Sequence, residues 1–211
     1  MVLHNPADAA QLPVNRPMAR DVFTPEDIRT LLRVAADEWQ TVILLGYYRG
    51  GRLGDMVRLS WDSVELATST IFYQQGKTRT RVEVPIHPDL EARLLAIAGD
   101  NPRGLLCPTL ARTRVDGRRG LSRQFAHLMS AAALDQDQVR SARNAFSRKR
   151  VHSLRHSFSS ALANAGVSAD VQIKLTGHKS LDVHRRYTHV EMEPLKHAIA
   201  ALPRLAGENE A

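Results

Sequence analysis

The chain has a single cysteine, Cys107, among 211 residues, which excludes an internal disulfide framework and suits a reducing compartment. No N-terminal run reads as a secretory signal, and no uninterrupted apolar stretch is long enough to span a bilayer. The expectation is a soluble protein of the cytoplasm with no membrane partner. No internal repeat of roughly 20–50 residues recurs, so a solenoid is excluded. Acid is scarce relative to base: Asp+Glu 22 against Lys+Arg 29 gives a formal net charge of +7 and a pI near 10.1. Such a balance favours polyanionic partners. At 43% hydrophobic, the chain can bury one domain-sized core, which argues against wholesale disorder.

What is present divides into segments. Residues 1–20, MVLHNPADAAQLPVNRPMAR, carry three prolines and no helical period, and read as an N-terminal arm or linker remnant. TPEDIRTLLRVA then opens a helix with Thr24 as cap, Pro25 at the first helical position and Asp27 three residues after the cap. A second helix, EWQTVILLGYY, runs into a turn at Arg49-Gly50-Gly51, and RLGDMVRLSW reads as a short third helix. SVEL, STIFYQ and RVEVPI are β-branched, roughly alternating and separated by polar turns, which predicts a small antiparallel three-stranded sheet. The helical period returns in DLEARLLAIA, LSRQFAHLMSAAA, SLRHSFSSALANAG and SADVQIKLTG, then in SLDVHRRYTH and EPLKHAIAALPRL. Gly166 should end one helix and Ser168 cap the next. The fold class predicted is mainly α with a small sheet, with residues 21–211 as one domain.

Charge is concentrated. Between Arg112 and Arg150 lie ten Lys/Arg (Arg112, Arg114, Arg118, Arg119, Arg123, Arg140, Arg143, Arg148, Lys149, Arg150) and three acids. The cluster flanks a glycine-rich loop and abuts His152-Ser-Leu-Arg155, which favours contact with a phosphate backbone over an ordinary solvated face. Of these, Arg112, Arg114, Arg118, Arg119, Arg148, Lys149 and Arg150 are the backbone-contact candidates.

Nine histidines invite a metal reading. His152 and His156 stand at i, i+4, but no Glu follows the first, no third ligand is evident, and Arg155 lies between them. A metal cation beside a guanidinium is electrostatically poor. A phosphate site fits better. His152 and Arg155 are neighbours on a helix surface, while Leu154, Phe158, Ala161, Leu162 and Ala165 can bury the opposite side. A guanidinium offers a planar fork that matches phosphate oxygens. Arg52 follows a Gly-Gly turn with Asp55 three residues on to orient it. Lys77 sits in QGKTRTR between two strands, His178 follows Gly177, and Tyr187 comes nine residues later.

Here the chain resembles the catalytic domain of the tyrosine recombinases, the phage-integrase family. GGRLGDMVRLSWDSV is similar to the family's first arginine block, and QQGKTRTRVEVPIHPDL to its β-hairpin lysine block. HSLRHSFSSALANAGVSADVQIKLTGHKSLDVHRRYTH is similar to its closing block of His-x-x-Arg, Gly-His and Tyr. The blocks run in family order from about Thr24 to Leu205. The resemblance implies the tyrosine recombinase catalytic-domain fold and a DNA strand-exchange enzyme on double-stranded DNA. It implies Tyr187 as nucleophile on a DNA phosphate, giving a 3′-phosphotyrosyl link and a free 5′-hydroxyl. Arg52, Arg155 and His178 would hold the non-bridging oxygens, Lys77 would protonate the leaving 5′-oxygen, and His152 would assist proton transfer at the tyrosine. No metal, ATP or other cofactor is implied.

Asp55 stands where many members carry Glu, but can still orient Arg52. The family's usual N-terminal core-binding domain has no counterpart before the first helix, so the chain is expected to be a fragment or a natural minimal form that binds DNA weakly alone. The tail with Met192, Leu195, Ile199 and Leu202 at helical spacing either packs on its own domain or docks on a neighbour in a tetramer. Free of DNA, a monomer is expected. His156, His184, His189, Arg185 and Arg186 are read as packing or surface residues, and Trp39, Trp61 and Tyr73 as core. Two other readings share the motifs: a topoisomerase-like relaxase of type IB, and a DNA-binding regulator with a decayed site.

Overall fold

The computed structural model describes residues 22–74, 81–135, 138–140, 145–147 and 149–176. Helix α1 (Pro25–Val34) begins where the sequence says it should. The Thr24 hydroxyl accepts from Asp27 N at 3.1 Å and the Asp27 carboxylate accepts from Thr24 N at 2.9 Å, a complete capping box that satisfies donors no helical carbonyl can reach. Helix α2 (Asp37–Arg49) follows, buried along most of its length, and ends at Gly50 with φ +67°, a left-handed cap that glycine adopts without penalty. Helix α3 (Leu53–Val57) starts two residues further on, with Arg52 as its N-cap residue. It is shorter than the ten residues that read as helical.

A single 3₁₀ turn, Trp61–Ser63, leads into β1 (Val64–Glu65), β2 (Thr70–Gln74) and β3 (Arg81–Pro85), an antiparallel sheet in the order β1-β2-β3. Val64 pairs with Ile71 and Ile71 with Val84. Ile71 and Val84 are both buried, so one face of the sheet lies on the core, as the alternation predicts. Gln74 and Arg81 are opposite each other at the end of this pairing. Lys77 falls in the intervening 75–80 segment, outside the described residues.

Helices α4 (Pro88–Ala98), α5 (Pro108–Ala111), α6 (Leu121–Ala131), α7 (Ser153–Asn164) and α8 (Ala169–Thr176) complete the described helices. The Glu38 carboxylate accepts from Thr109 N and Leu110 N, at 3.0 and 2.7 Å, and so supplies the start of α5. Gly166, φ +75°, follows α7, and the Ser168 hydroxyl accepts from Val171 N, both as read from the sequence. Two strands were not anticipated: β4 (Gln138–Arg140) and β5 (Ala145–Ser147) pair antiparallel within the basic segment. Their stretch is polar and charged, without the alternation that marks a half-buried strand.

One core gathers residues from α1 to α7 and the sheet, including Leu31, Ile43, Leu45, Met56, Ile71, Leu94, Phe125 and Leu154. Trp39 is buried and donates its indole N–H to Gln124, while Trp61 is half-buried at the core's edge. Cys107 is fully buried, and burial with the nearby Glu38 charge pushes its thiol up to about 12, so it is an inert packing residue. Among the described residues, no helix is long and apolar enough to cross a membrane.

Helix α7 is held tightly against α2. A Cβ on Gly46 would stand 2.8 Å from Leu154 Cδ1 and 2.9 Å from Leu154 Cβ. Glycine here lets the two helices approach, at the cost of its poor helix propensity. Gly46→Ala gains about 1 kcal/mol of propensity but overpacks a full core at about 1–3 kcal/mol. The variant is expected to melt below the parent in a thermal unfolding experiment, and a higher midpoint would contradict the close approach.

Candidate active site

The site grows from the junction of α2 and α7. Arg155 lies in the first turn of α7 and is 1% exposed. Its guanidinium donates through Nη1 to the Gly50 carbonyl at 2.5 Å and through Nη2 to the Thr176 carbonyl at 2.7 Å. Gly50 belongs to the turn that presents Arg52, and Thr176 is the last residue of α8, immediately before Gly177-His178 in the sequence. One side chain therefore bonds both the turn ahead of Arg52 and the end of α8.

This corrects the surface reading of α7. Residues Ser153 to Ser160 are buried on every side of the helix, whereas Ala161 and Ala165, expected to pack inward, are exposed. The reason is position: α7 packs on α2 and on α8 at once, so its first two turns have no solvent face. Serine makes this possible. Ser157 Oγ donates back to the Ser153 carbonyl at 2.9 Å and accepts from Phe23 N at 2.7 Å, so these buried hydroxyl and amide groups are matched. Phe158 lies over Gly50, where a Cβ would meet its ring at 2.4 Å.

Arg52 is more open, with its side chain 33% exposed. Asp55 stands 4.0 Å from its Nη1, close enough to orient it and too far to lock it, as the three-residue spacing predicts. His152 is the N-cap residue of α7, half-buried, and its ring meets that of His156 edge to face at 5.4 Å and 84°. His156, read as a packing residue, is buried. Arg52, Asp55, His152 and Arg155 are thus on elements that Arg155 and the α2–α7 contact bring together. His178 and Tyr187, like Lys77, Arg148, His184, His189 and the C-terminal tail, lie outside the described residues.

The basic candidates separate. Arg112, Arg114, Arg118 and Arg119 are exposed on the loop between α5 and α6. That loop leans on α3: Val115 Cγ2 would be 3.8 Å from a Cβ on Gly54. Its arginines are consequently on the same side of the core as the helix that Arg52 begins. Arg150 is exposed as well. Lys149 is committed elsewhere, with Nζ 2.7 Å from Asp27 Oδ2 and both side chains largely buried. A charge run in the sequence does not reveal a partner 122 residues away. Arg49 carried no signal either, and is as buried as Arg155.

Comparison with known proteins fits this geometry. The model of the phage integrase family matches residues 21–193. The chain is 27% identical to the tyrosine recombinase XerC of Rhodospirillum centenum, covering 92% of this chain and 58% of that protein. It is 22% identical to the integrase of Salmonella phage P22, covering 79% of this chain and 43% of that protein. The chain spans between 43% and 64% of the length of the curated relatives it matches. Among solved structures, XerA recombinase superposes with a TM-score of 0.63 at 20% identity, covering 92% of this chain and 68% of that one. The catalytic domain of bacteriophage HP1 integrase gives 0.60 at 18% identity, covering 87% of this chain and 96% of that one. The Tn1549 transposon integrase in complex with transposon right end DNA gives 0.64 at 13% identity, covering 94% and 70%. These structures share the mainly helical architecture with its small antiparallel sheet.

The Asp27–Lys149 contact predicts a pH dependence. Burial raises the Asp27 carboxyl, but hydrogen bonds from Lys149 and Thr24 together with the Lys149 charge outweigh it, and the net effect is downward. A depressed carboxyl stabilises the fold above its unfolded value and ceases to do so as pH falls through its folded value. Asp27→Asn, which keeps an acceptor for Thr24 N but removes the charge facing Lys149, should therefore lower the thermal midpoint at neutral pH. The gap to the parent should narrow as melts are repeated below pH about 4. A gap unchanged with pH would show that the carboxylate charge contributes nothing.

Proposed function

The chain belongs to the phage integrase family, and from that premise we propose that it cleaves and rejoins DNA strands in site-specific recombination. The observation that carries the reading is the Arg155 guanidinium, which ties the Arg52 turn to the end of α8 just ahead of His178. The Tyr187 oxygen attacks a backbone phosphorus, the bond to the 5′-oxygen breaks, and a 3′-phosphotyrosyl ester forms. Arg52, Arg155 and His178 hold the non-bridging oxygens, where charge gathers in the transition state. Lys77 gives a proton to the departing 5′-oxygen, and His152 assists removal of the phenolic proton. A phenol with a pKa near 10 is a weak nucleophile at neutral pH, and neighbouring cations favour its ionised form.

The phosphotyrosyl ester keeps the energy of the broken bond, so rejoining is the reverse attack by another 5′-hydroxyl. Fixed cations and positioning supply what this reaction requires, without a nucleotide or a metal. Exchange of partners calls for two sites and four protomers held together, and we assign that role to the C-terminal tail. The protein works in the cytoplasm, where its DNA substrate lies. The exposed arginines of the 112–119 loop run along the DNA backbone beside the site, which suits a net charge of +7.

A duplex with a nick beside the cleavage position traps the intermediate, because the short leaving strand diffuses away. Incubation should give a protein–DNA adduct that survives SDS, and Tyr187→Phe should abolish it. An adduct from Tyr187→Phe would refute the nucleophile assignment. Relaxation of supercoiled DNA without paired sites would instead identify a topoisomerase-like enzyme.

Replacing Arg114, Arg118 and Arg119 together by alanine tests the basic loop. Equilibrium binding measured across salt concentrations should weaken, and the slope of log K against log salt should shrink by about 0.9 for each phosphate contact removed. An unchanged slope would place the DNA elsewhere.

A further inference from the structure

Arg49 is the last residue of α2 and is 1% exposed, one of the largest fully buried side chains of the described core. No role in the cleavage chemistry above falls to it. It does not reach solvent, yet a guanidinium stays charged at any pH a protein survives. Burying that charge is costly unless the surroundings use it, and Arg49 is not without an interaction partner in the fold.

Its location is informative. A Cβ on Gly51 would stand 3.0 Å from Arg49 Nη1, 2.5 Å from Met56 Cγ and 3.1 Å from Met56 Sδ. The side chain missing at position 51 thus leaves the room that the Arg49 guanidinium and the Met56 thioether fill. Gly51 immediately precedes Arg52, and Gly50 before it has its carbonyl held by Arg155. The two glycines are therefore set between two buried guanidiniums, Arg155 bonded to the first and Arg49 packed against the second. Met56 belongs to α3, the helix that Arg52 begins, and its N–H bonds the Arg52 carbonyl at 2.9 Å. Arg49 and Met56 thus both border the residue that precedes Arg52, and Met56 sits on the turn of helix that follows it.

We propose that Arg49 is a positioning residue for Arg52: it sets the Gly50-Gly51 turn and places a second buried guanidinium, besides that of Arg155, against it. This rests on the strand-cleavage reading. Arg49 touches no reacting atom; it acts through the orientation of Arg52. A displacement of the order of one ångström at such a clamp is enough to slow a phosphoryl transfer by one to two powers of ten.

The test uses the full chain with Arg49→Lys, which keeps the charge and most of the volume but loses the planar fork. Single-turnover adduct formation on the nicked duplex should fall about tenfold, with DNA affinity within about twofold of the parent. Coupling supplies the readout that a merely structural role would not move. In an Arg52→Ala background, Arg49→Lys should cost no further rate, because nothing remains to be positioned. A rate for Arg49→Lys within twofold of the parent overturns the proposal, as does a loss that is the same with and without Arg52. Gly51→Ala, which crowds Arg49 and Met56 while keeping every charge, should reproduce the slowing; a parental rate there also counts against it. If the parent chain forms no adduct, the cleavage reading fails, and Arg49 is then judged on inorganic orthovanadate. Its dissociation constant, followed by NMR titration, should rise about tenfold in Arg49→Lys and not in an Arg49→Lys, Arg52→Ala pair relative to Arg52→Ala alone. Equal vanadate affinity in parent and Arg49→Lys overturns the role.

Discussion

The structure turns on a buried cation, the Arg155 guanidinium, and on what can solvate it. A side chain 1% exposed has lost its water, so its donors need protein acceptors. Those described are carbonyls at two helix ends, Gly50 at the C-cap of α2 and Thr176 at the end of α8. Carbonyls there have no helical N–H to receive and carry the negative end of the helix dipole. The two helix ends and the arginine thus complete one another. Because both acceptors are neutral groups, these bonds stabilise the guanidinium without cancelling its charge.

The packing around that contact follows from it. For Arg155 to reach Gly50, α7 must lie close to the last turns of α2, and glycine at positions 46 and 50 permits this, against Leu154 and Phe158 respectively. Gly50 has a second reason to be glycine, its left-handed backbone. Helix α7 is then enclosed over its first two turns, where a small hydroxyl such as that of Ser157 can satisfy itself against the backbone. Ser157 does so toward Ser153 while also receiving Phe23 N, linking the start of the described chain to its central helix. Lys149 adds to that link through Asp27 and lies over the Phe23 ring.

Local signals in the sequence located elements well because local physics creates them. The Thr24–Asp27 capping box, the Gly50 stop, the alternation through Ile71 and Val84, and the Gly166–Ser168 break each involve neighbours within a few residues. The Arg52–Asp55 spacing was readable for the same reason. Pairings that depend on three-dimensional closure were not. Nothing near Lys149 announces Asp27, nothing near Arg49 announces Met56 and Gly51 as its surroundings, and no short-range pattern marks β4 and β5. The amphipathic reading of α7 failed because periodicity assumes one wet face, whereas this helix packs against neighbours on more than one side. Resemblance in motif order reached further, since it draws Arg52 and Arg155 together across a separation that periodicity cannot bridge.

The two arginines of the proposed phosphate site differ in their surroundings. Arg155 is buried and bonded to the main chain, whereas Arg52 is one-third exposed and only loosely restrained by Asp55 at 4.0 Å. A guanidinium already fixed loses little freedom when an anion arrives, so its attraction is available in full at the transition state. One that is partly free can follow the oxygens as the phosphorus changes geometry, but only over the range its backbone allows. That range is set by the Gly50-Gly51 turn, a segment with little stiffness of its own. Its shape must be imposed by neighbours, and those neighbours are Arg155, Phe158, Arg49 and Met56. The flexibility of glycine and the rigidity of the surrounding side chains are thus two halves of one device, in which the core of the protein fixes a loop that could not fix itself.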